Sequence, residues 1–202
     1  MSIVVALYSC TESGGTTIAD GSGNGYTALH NGTATGTELY LDSTAYLDLP
    51  FNLSLRTSVT VSLFVKLDAL VECVVFSTSA SSSVNSLELA ITSSGVLRAT
   101  HVTASTEYSI QSTAVITAGI ITHIAYTYNY GTTSQVLYIN GAMVRYEASV
   151  AQLLYNDTNV VIGGKASKEA SKFSGDVKSI YIGSTALTPG GVEALFKATN
   201  AA

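Results

Sequence analysis

The chain has 202 residues with 14 acidic and nine basic side chains, a net charge of −5, and only 11 % charged residues against roughly 25 % in an average globular protein. Its 47 % hydrophobic content excludes a disordered chain and is enough to bury the core of one domain over 1–202. The thinly spread cations exclude the basic footprint of nucleic-acid binding, and no apolar run approaches the ~18 residues of a membrane helix.

The start, MSIVVALYSCTES, has no basic n-region and too short an apolar run for a signal peptide, so the chain is expected to be non-secreted or already processed. A strand-forming run at 3–8 leads to ADGSGNG at 19–25, where three glycines surround Asp20, Ser22 and Asn24. Further runs rich in Val, Ile, Thr and Tyr follow at 38–41, 46–49, 58–67, 73–77, 86–92, 96–102, 107–111, 120–130, 135–140, 142–147, 159–163 and 173–182. Gly, Ser, Thr and Asn clusters at 79–85, 130–134 and 163–171 separate them, and the low-complexity piece 77–84 reads as a loop. Many short strands with frequent turn signals predict an all-β, two-sheet antiparallel sandwich or jelly roll.

Within 58–67, Val59, Val61, Leu63, Val65 and Leu67 alternate with Thr60, Ser62, Phe64 and Lys66. Period two gives one apolar face, and Phe64 makes the other face partly apolar, so something is expected to cover it. One helix is predicted, over 191–198. Thr188 can cap it, Pro189 suits its first position, and Val192, Leu195 and Phe196 recur at helical spacing.

In this order the segments resemble the laminin-G-like jelly roll of the concanavalin A-like lectin/glucanase superfamily. Ala19-Asp-Gly-Ser-Gly-Asn24 is similar to that family's early turn, and the segment from Leu39 to Pro50 to the strand pair after it. Ser58-Val-Thr-Val-Ser-Leu-Phe-Val-Lys66 resembles a strand with tryptophan where Phe64 stands, and Ile121-Thr-His-Ile-Ala-Tyr-Thr-Tyr128 one with tryptophan where Ile121 stands. Leu137-Tyr-Ile-Asn-Gly141, Val161-Ile-Gly-Gly164, Phe173-Ser-Gly-Asp-Val177 and the close from Ala186 to Phe196 complete the match. The resemblance implies two stacked sheets with a core between them. It implies no single function, because the family holds lectins, adhesion modules, glycanases and virion proteins.

The glycanases of that superfamily set acids at alternate positions of one strand, which places them on one face. No such cluster occurs here. Glu38 and Asp42, flanking Tyr40, are the nearest approach and read as solvent-facing edge residues. No G-x-S-x-G elbow is present, and the resemblance makes His123 structural; His30 and His101 have no metal-ligand neighbours in sequence. Cys10 and Cys73 lack CxxC spacing and read as two buried thiols, able to pair only across adjacent strands. Sequons at Asn31, Asn52 and Asn156 are about as many as chance supplies. Tyr126, Tyr128 and Tyr130 share one strand face, as core or interface or, alternatively, as a sugar platform.

ADGSGNG matches the first half of a calcium loop, but Asn31 stands where a bidentate glutamate is needed. In relatives that hold structural calcium, the resemblance places an acidic pair where this chain has Lys178 and Ser179, with Asp176 one pleat away. A phosphate cradle needs a helix after the glycines, whereas 26–29 reads as strand. What remains is a tight turn capped by Asp20 and Asn24. No catalytic, cofactor-binding or metal residues are assigned.

These readings predict a non-catalytic structural or interaction protein. Its expected setting is a virion surface, as a phage-type capsid decoration, cement or fibre-associated protein. It would bind neighbouring shell subunits, itself a homo-oligomer. The alternative is a lectin-like carbohydrate-binding module at an extracellular or cell surface, with surface glycans as ligands. Nucleic acid, membrane and cofactors are not expected.

Overall fold

The structure, a computed structural model, describes residues 4–54, 56–78, 84–104, 106–148, 150–156, 159–165 and 173–200. Its strands are β1 (Val4–Tyr8), β2 (Thr17–Ile18), β3 (Ala28–His30), β4 (Thr33–Ala34), β5 (Leu39–Leu41), β6 (Leu47–Asn52), β7 (Val59–Leu67), β8 (Cys73–Ser77), β9 (Ser86–Ile91), β10 (Val96–Val102), β11 (Glu107–Val115), β12 (Thr122–Asn129), β13 (Ser134–Ile139), β14 (Ala142–Glu147), β15 (Asn159–Ile162) and β16 (Gly175–Gly183). One helix follows, α1 (Pro189–Asn200). The expected antiparallel sandwich is what these elements form.

The first sheet runs β14-β13-β12-β7-β16-β5-β4, with β1 also beside β16; the second runs β11-β10-β9-β8-β15-β6-β3-β2. Inward side chains of both sheets make one apolar core, including Val61, Leu63, Leu89, Ile124 and Leu137. β16 has two partners on one side. Its first residues pair with β5 and its last with β1, and the register breaks between them. Ser179 takes a φ of 52° at that break and donates its N–H to the Ser9 carbonyl. The strand thus bulges where one neighbour replaces the other.

The second apolar face of β7 is covered by α1. Phe64 stacks on Phe196 with ring centroids 6.2 Å apart. Val192 and Leu187 pack on Ala125, Val136 and Tyr138 of β12 and β13. The start of the helix is fixed from below. Thr60 Oγ1 donates to the Thr185 carbonyl (2.6 Å) and accepts the Leu187 N–H (2.9 Å). Thr188 caps as expected, its Oγ1 accepting the Gly191 N–H at 3.3 Å.

Two differences from the sequence reading have physical reasons. β2, β3 and β4 carry two or three residues each, too few for a period-two signal. α1 begins at Pro189 rather than 191 and runs to Asn200, because packing on the sheet outweighs the low helix propensity of Gly190 and Gly191. Cys10 and Cys73 are both buried and both free, as the two-thiol reading expected. Most of the predicted 77–84 loop lies outside the described residues.

Candidate functional site

The tyrosine row faces inward. Tyr126 and Tyr128 are fully buried, which removes the sugar-platform reading for them. Their hydroxyls tie down the segment at 150–156 and the neighbouring strand. Tyr128 donates to the Ala151 carbonyl and accepts the Leu153 N–H; Tyr126 donates to Gln135 Oε1. Tyr130, half-buried at the strand end, donates to Gln152 Oε1. Leu153 and Tyr155 of that segment are buried in the core. His101 donates from Nε2 to the Leu154 carbonyl (2.8 Å) and packs on the Tyr155 ring.

His123 meets Ser62, the one nucleophile–base arrangement among the described histidines. Its Nε2 lies 2.8 Å from Ser62 Oγ. The pair is protonated the wrong way round for catalysis. Asn140 and Gly141 take positive φ as the two-residue turn joining β13 to β14, and Gly141 donates its N–H to His123 Nδ1 (3.3 Å). Nδ1 therefore carries the lone pair, and Nε2 donates to Ser62. A general base needs its lone pair facing the hydroxyl. Ser62 is only 2 % exposed, and Phe64 and Phe196 close over the imidazole. Burial drops the His123 pKa to about 4, so the ring is neutral near pH 7.

Glu38 and Asp42 do not build an acid pair. Asp42 lies past the end of β5, where its Oδ1 accepts both the N–H and the hydroxyl of Thr44. Tyr40 instead donates to Asp68 Oδ2, which also takes the Ser174 hydroxyl. Asp176, beside Tyr40 in register, pairs with Lys66 at 3.2 Å.

In the turn at 19–25, Asp20 is the hub. Oδ1 accepts the N–H groups of Leu7 and Ser22; Oδ2 accepts the Ser22 hydroxyl and the Tyr26 N–H. Partial desolvation pushes this carboxyl up, but the four donors together outweigh it and hold the pKa below the usual value. Asn24 donates from its amide to the Val4 and Val5 carbonyls, and Gly23 and Gly25 take positive φ. Lys178 and Ser179 sit at the β16 bulge. Among the described residues no group of three or more His, Cys, Asp or Glu side chains converges as a metal site.

An open groove of about 340 Å³ lies on the outer face of the first sheet between the start of α1 and β12 to β14. Tyr138, Val136 and Thr127 form its floor, Leu187 and Pro189 one wall, and Met143 and Tyr146 the other. Met143 is 55 % exposed and Tyr146 53 %. Sequence reasoning missed both. Their only signal was two large side chains in a run, AMVRYE, that is otherwise the exposed edge of a sheet.

Two antiparallel sheets packed face to face, with one helix on the outer face of the first, define a fold of the jelly-roll class. The chain belongs to the concanavalin A-like lectin/glucanases superfamily, whose laminin-G model matches residues 41–193. Among solved structures it is similar to domain 4 of AbnA, an extracellular arabinanase of Geobacillus stearothermophilus solved with arabinotriose. That match has a TM-score of 0.71 and 20 % identity, covering 96 % of this chain and 98 % of that one. It is also similar to the binding domain of botulinum neurotoxin DC in complex with rat synaptotagmin II (TM-score 0.76, 14 % identity, 98 % of this chain and 52 % of that one). A structure of botulinum neurotoxin type C, whose cell entry depends on two ganglioside molecules, gives a TM-score of 0.75 at 14 % identity over 97 % of this chain and 51 % of that one. The chain thus spans about half the length of those toxin chains. No curated protein sequence matches it. At these identities the likeness to solved structures is one of fold. Among the described residues no helix is long and apolar enough to cross a membrane.

Proposed function

We propose that the protein is a non-catalytic interaction module that seats on neighbouring protein subunits through the groove beside α1. In its finer form it is a virion-surface protein, a capsid decoration, cement or fibre-associated component that binds shell subunits and its own copies. The observation that carries this reading is the pair Met143 and Tyr146, more than half exposed along an open groove. Large apolar side chains grouped at a groove mark interaction surfaces. The low charge of the chain adds support, since interface cores are depleted in charged residues. The shielded, donor-oriented His123 supports a role without catalysis.

Light scattering on the purified chain, together with co-sedimentation with virion shells, tests the reading. Self-association or shell binding that is lost in a Met143→Glu, Tyr146→Glu variant is expected. A monomer that stays in the supernatant sinks it. The second reading, carbohydrate binding, is favoured by the end-to-end likeness to a domain solved with arabinotriose. A glycan array with and without calcium decides it, and an array without hits removes it.

A further inference from the structure

A second cleft, of about 210 Å³, opens at the end of the second sheet and is lined by Tyr26, Pro50, Phe51, Asn52 and Arg56. It lies apart from the groove beside α1 and shares no lining residue with it. The half-buried Tyr26 ring forms its aromatic wall and rests on the Phe51 ring, which belongs to the core and is 7 % exposed, the two standing 5.1 Å apart at 45°. The remaining polar groups are donors. Arg56 makes no ion pair or side-chain hydrogen bond among the described residues. Asn52 uses Oδ1 to accept the Ser54 N–H and hydroxyl, which leaves its amide NH₂ as a donor.

The wall is held from behind by the turn at 19–25. The Tyr26 N–H is fixed to Asp20 Oδ2 at 3.1 Å, and its carbonyl accepts the Tyr8 hydroxyl at 2.6 Å. Tyr8 is fully buried. Both backbone groups of Tyr26 are therefore anchored to the body of the sandwich, and the ring is presented in a fixed place. Positioning of this kind lowers the ordering cost of binding.

We propose that this cleft binds a carboxylate carried on a ring. The Arg56 fork and the Asn52 amide would take the carboxylate, and the ring would lie on Tyr26, which Phe51 backs from the core. A guanidinium suits a carboxylate because its paired N–H groups match the two oxygens. An aromatic face suits a ring with apolar C–H or π surface. The cleft is smaller than the ~300 Å³ at the lower end of drug-sized sites, so it fits one ring and not an extended chain. The ligand class has two sources, a uronate residue of an acidic saccharide and a free aromatic acid. In the saccharide form the inference rests on the carbohydrate reading above and names the sugar class and the site.

The test is a set of NMR titrations of the full chain with trigalacturonate, benzoate, neutral galactotriose and inorganic phosphate. Shifts at Tyr26, Asn52 and Arg56 are expected with trigalacturonate or benzoate. Arg56→Ala should weaken that binding about tenfold or more, Arg56→Lys less, and Tyr26→Leu should weaken it with the charge intact. Thermal melts check that each variant is folded. Binding of trigalacturonate alone assigns the saccharide source, and binding of benzoate assigns the free acid; both support the inference. No binding by either acid overturns it, as does an Arg56→Ala protein that binds like the parent. Phosphate bound as tightly as the acids also overturns it, leaving a bare anion site. Galactotriose bound as tightly overturns it while leaving the carbohydrate reading intact.

Discussion

His101 and His123 hold the segment at 150–156 and the β13–β14 turn in place, and both are buried as neutral rings. Burial lowers each pKa from 6.5 to about 4. The unfolded chain takes up these protons near pH 6.5 and the folded chain only near pH 4. Between those values the unfolded state binds more protons, so stability falls as pH falls, by up to about 1.4 kcal/mol per pH unit for each histidine. Above pH 6.5 their contribution is fully present. Glu88 acts in the opposite direction. Burial lifts its carboxyl, with Lys165 and Arg98 partly offsetting this, so protonation favours the folded state as pH drops. One partly exposed carboxyl against two buried histidines leaves the net slope with the histidines. Asp20, held below its usual value, weakens the fold only at more acidic pH. Melting temperatures from pH 7 to pH 4 are expected to fall steadily. A His101→Gln, His123→Gln variant should melt lower at pH 7 but with a flatter slope. An equal slope in parent and variant refutes the assignment.

At the scale of elements, α1 is a lid on the outer face of the first sheet, and its Phe196 reaches Phe64, His123 and the turn at Gly141. A Cβ at Gly141 would lie 2.9 Å from Phe196 Cδ1, so the turn and the helix fit only with glycine there. Phe196→Ala should therefore loosen helix, histidine and turn together. We expect a loss of about 2 kcal/mol in urea unfolding, below the ~3–5 kcal/mol of a fully buried phenylalanine because Phe196 is half-buried. A loss under about 0.5 kcal/mol would mean that the helix is not docked as described. The need for this lid was legible in the sequence, because Phe64 broke the polar face of an otherwise alternating strand. The long strands β7, β12 and β16 were legible as the strand-forming runs 58–67, 120–130 and 173–182. β2 and β4 were not, since their pairing comes from register across the sheet rather than from any local pattern, while β3 showed only as the strand-like 26–29. The two clefts were illegible throughout. Arg56 looked like any turn-proximal cation, and only the fold brings it beside Tyr26, 30 positions earlier in the chain.

The whole molecule is one core shared by two sheets, and its two thiols sample both. Cys10 follows β1 at the margin of the first sheet, while Cys73 begins β8 near the middle of the second. Burial raises the Cys10 thiol to about 12, with Glu12 adding to it, and the Cys73 thiol to about 11. Neither is a thiolate nor within reach of reagent while the sandwich is closed, so modification has to wait for opening. If the shared core makes the sheets one cooperative unit, the opening that frees Cys10 is the one that frees Cys73. Labelling with a chromogenic disulfide reagent at pH 8 should thus show no fast-reacting thiol in native buffer and two in concentrated urea. In dilute urea both cysteines, followed by peptide mass spectrometry, should react at a common rate. A reducing agent should leave the melting temperature unchanged, because no disulfide is there to break. Cys10 reacting more than about tenfold faster than Cys73 would show instead that β1 detaches alone. The bulge at Ser179, where β16 exchanges β5 for β1, would then be a hinge between two units rather than a seam within one.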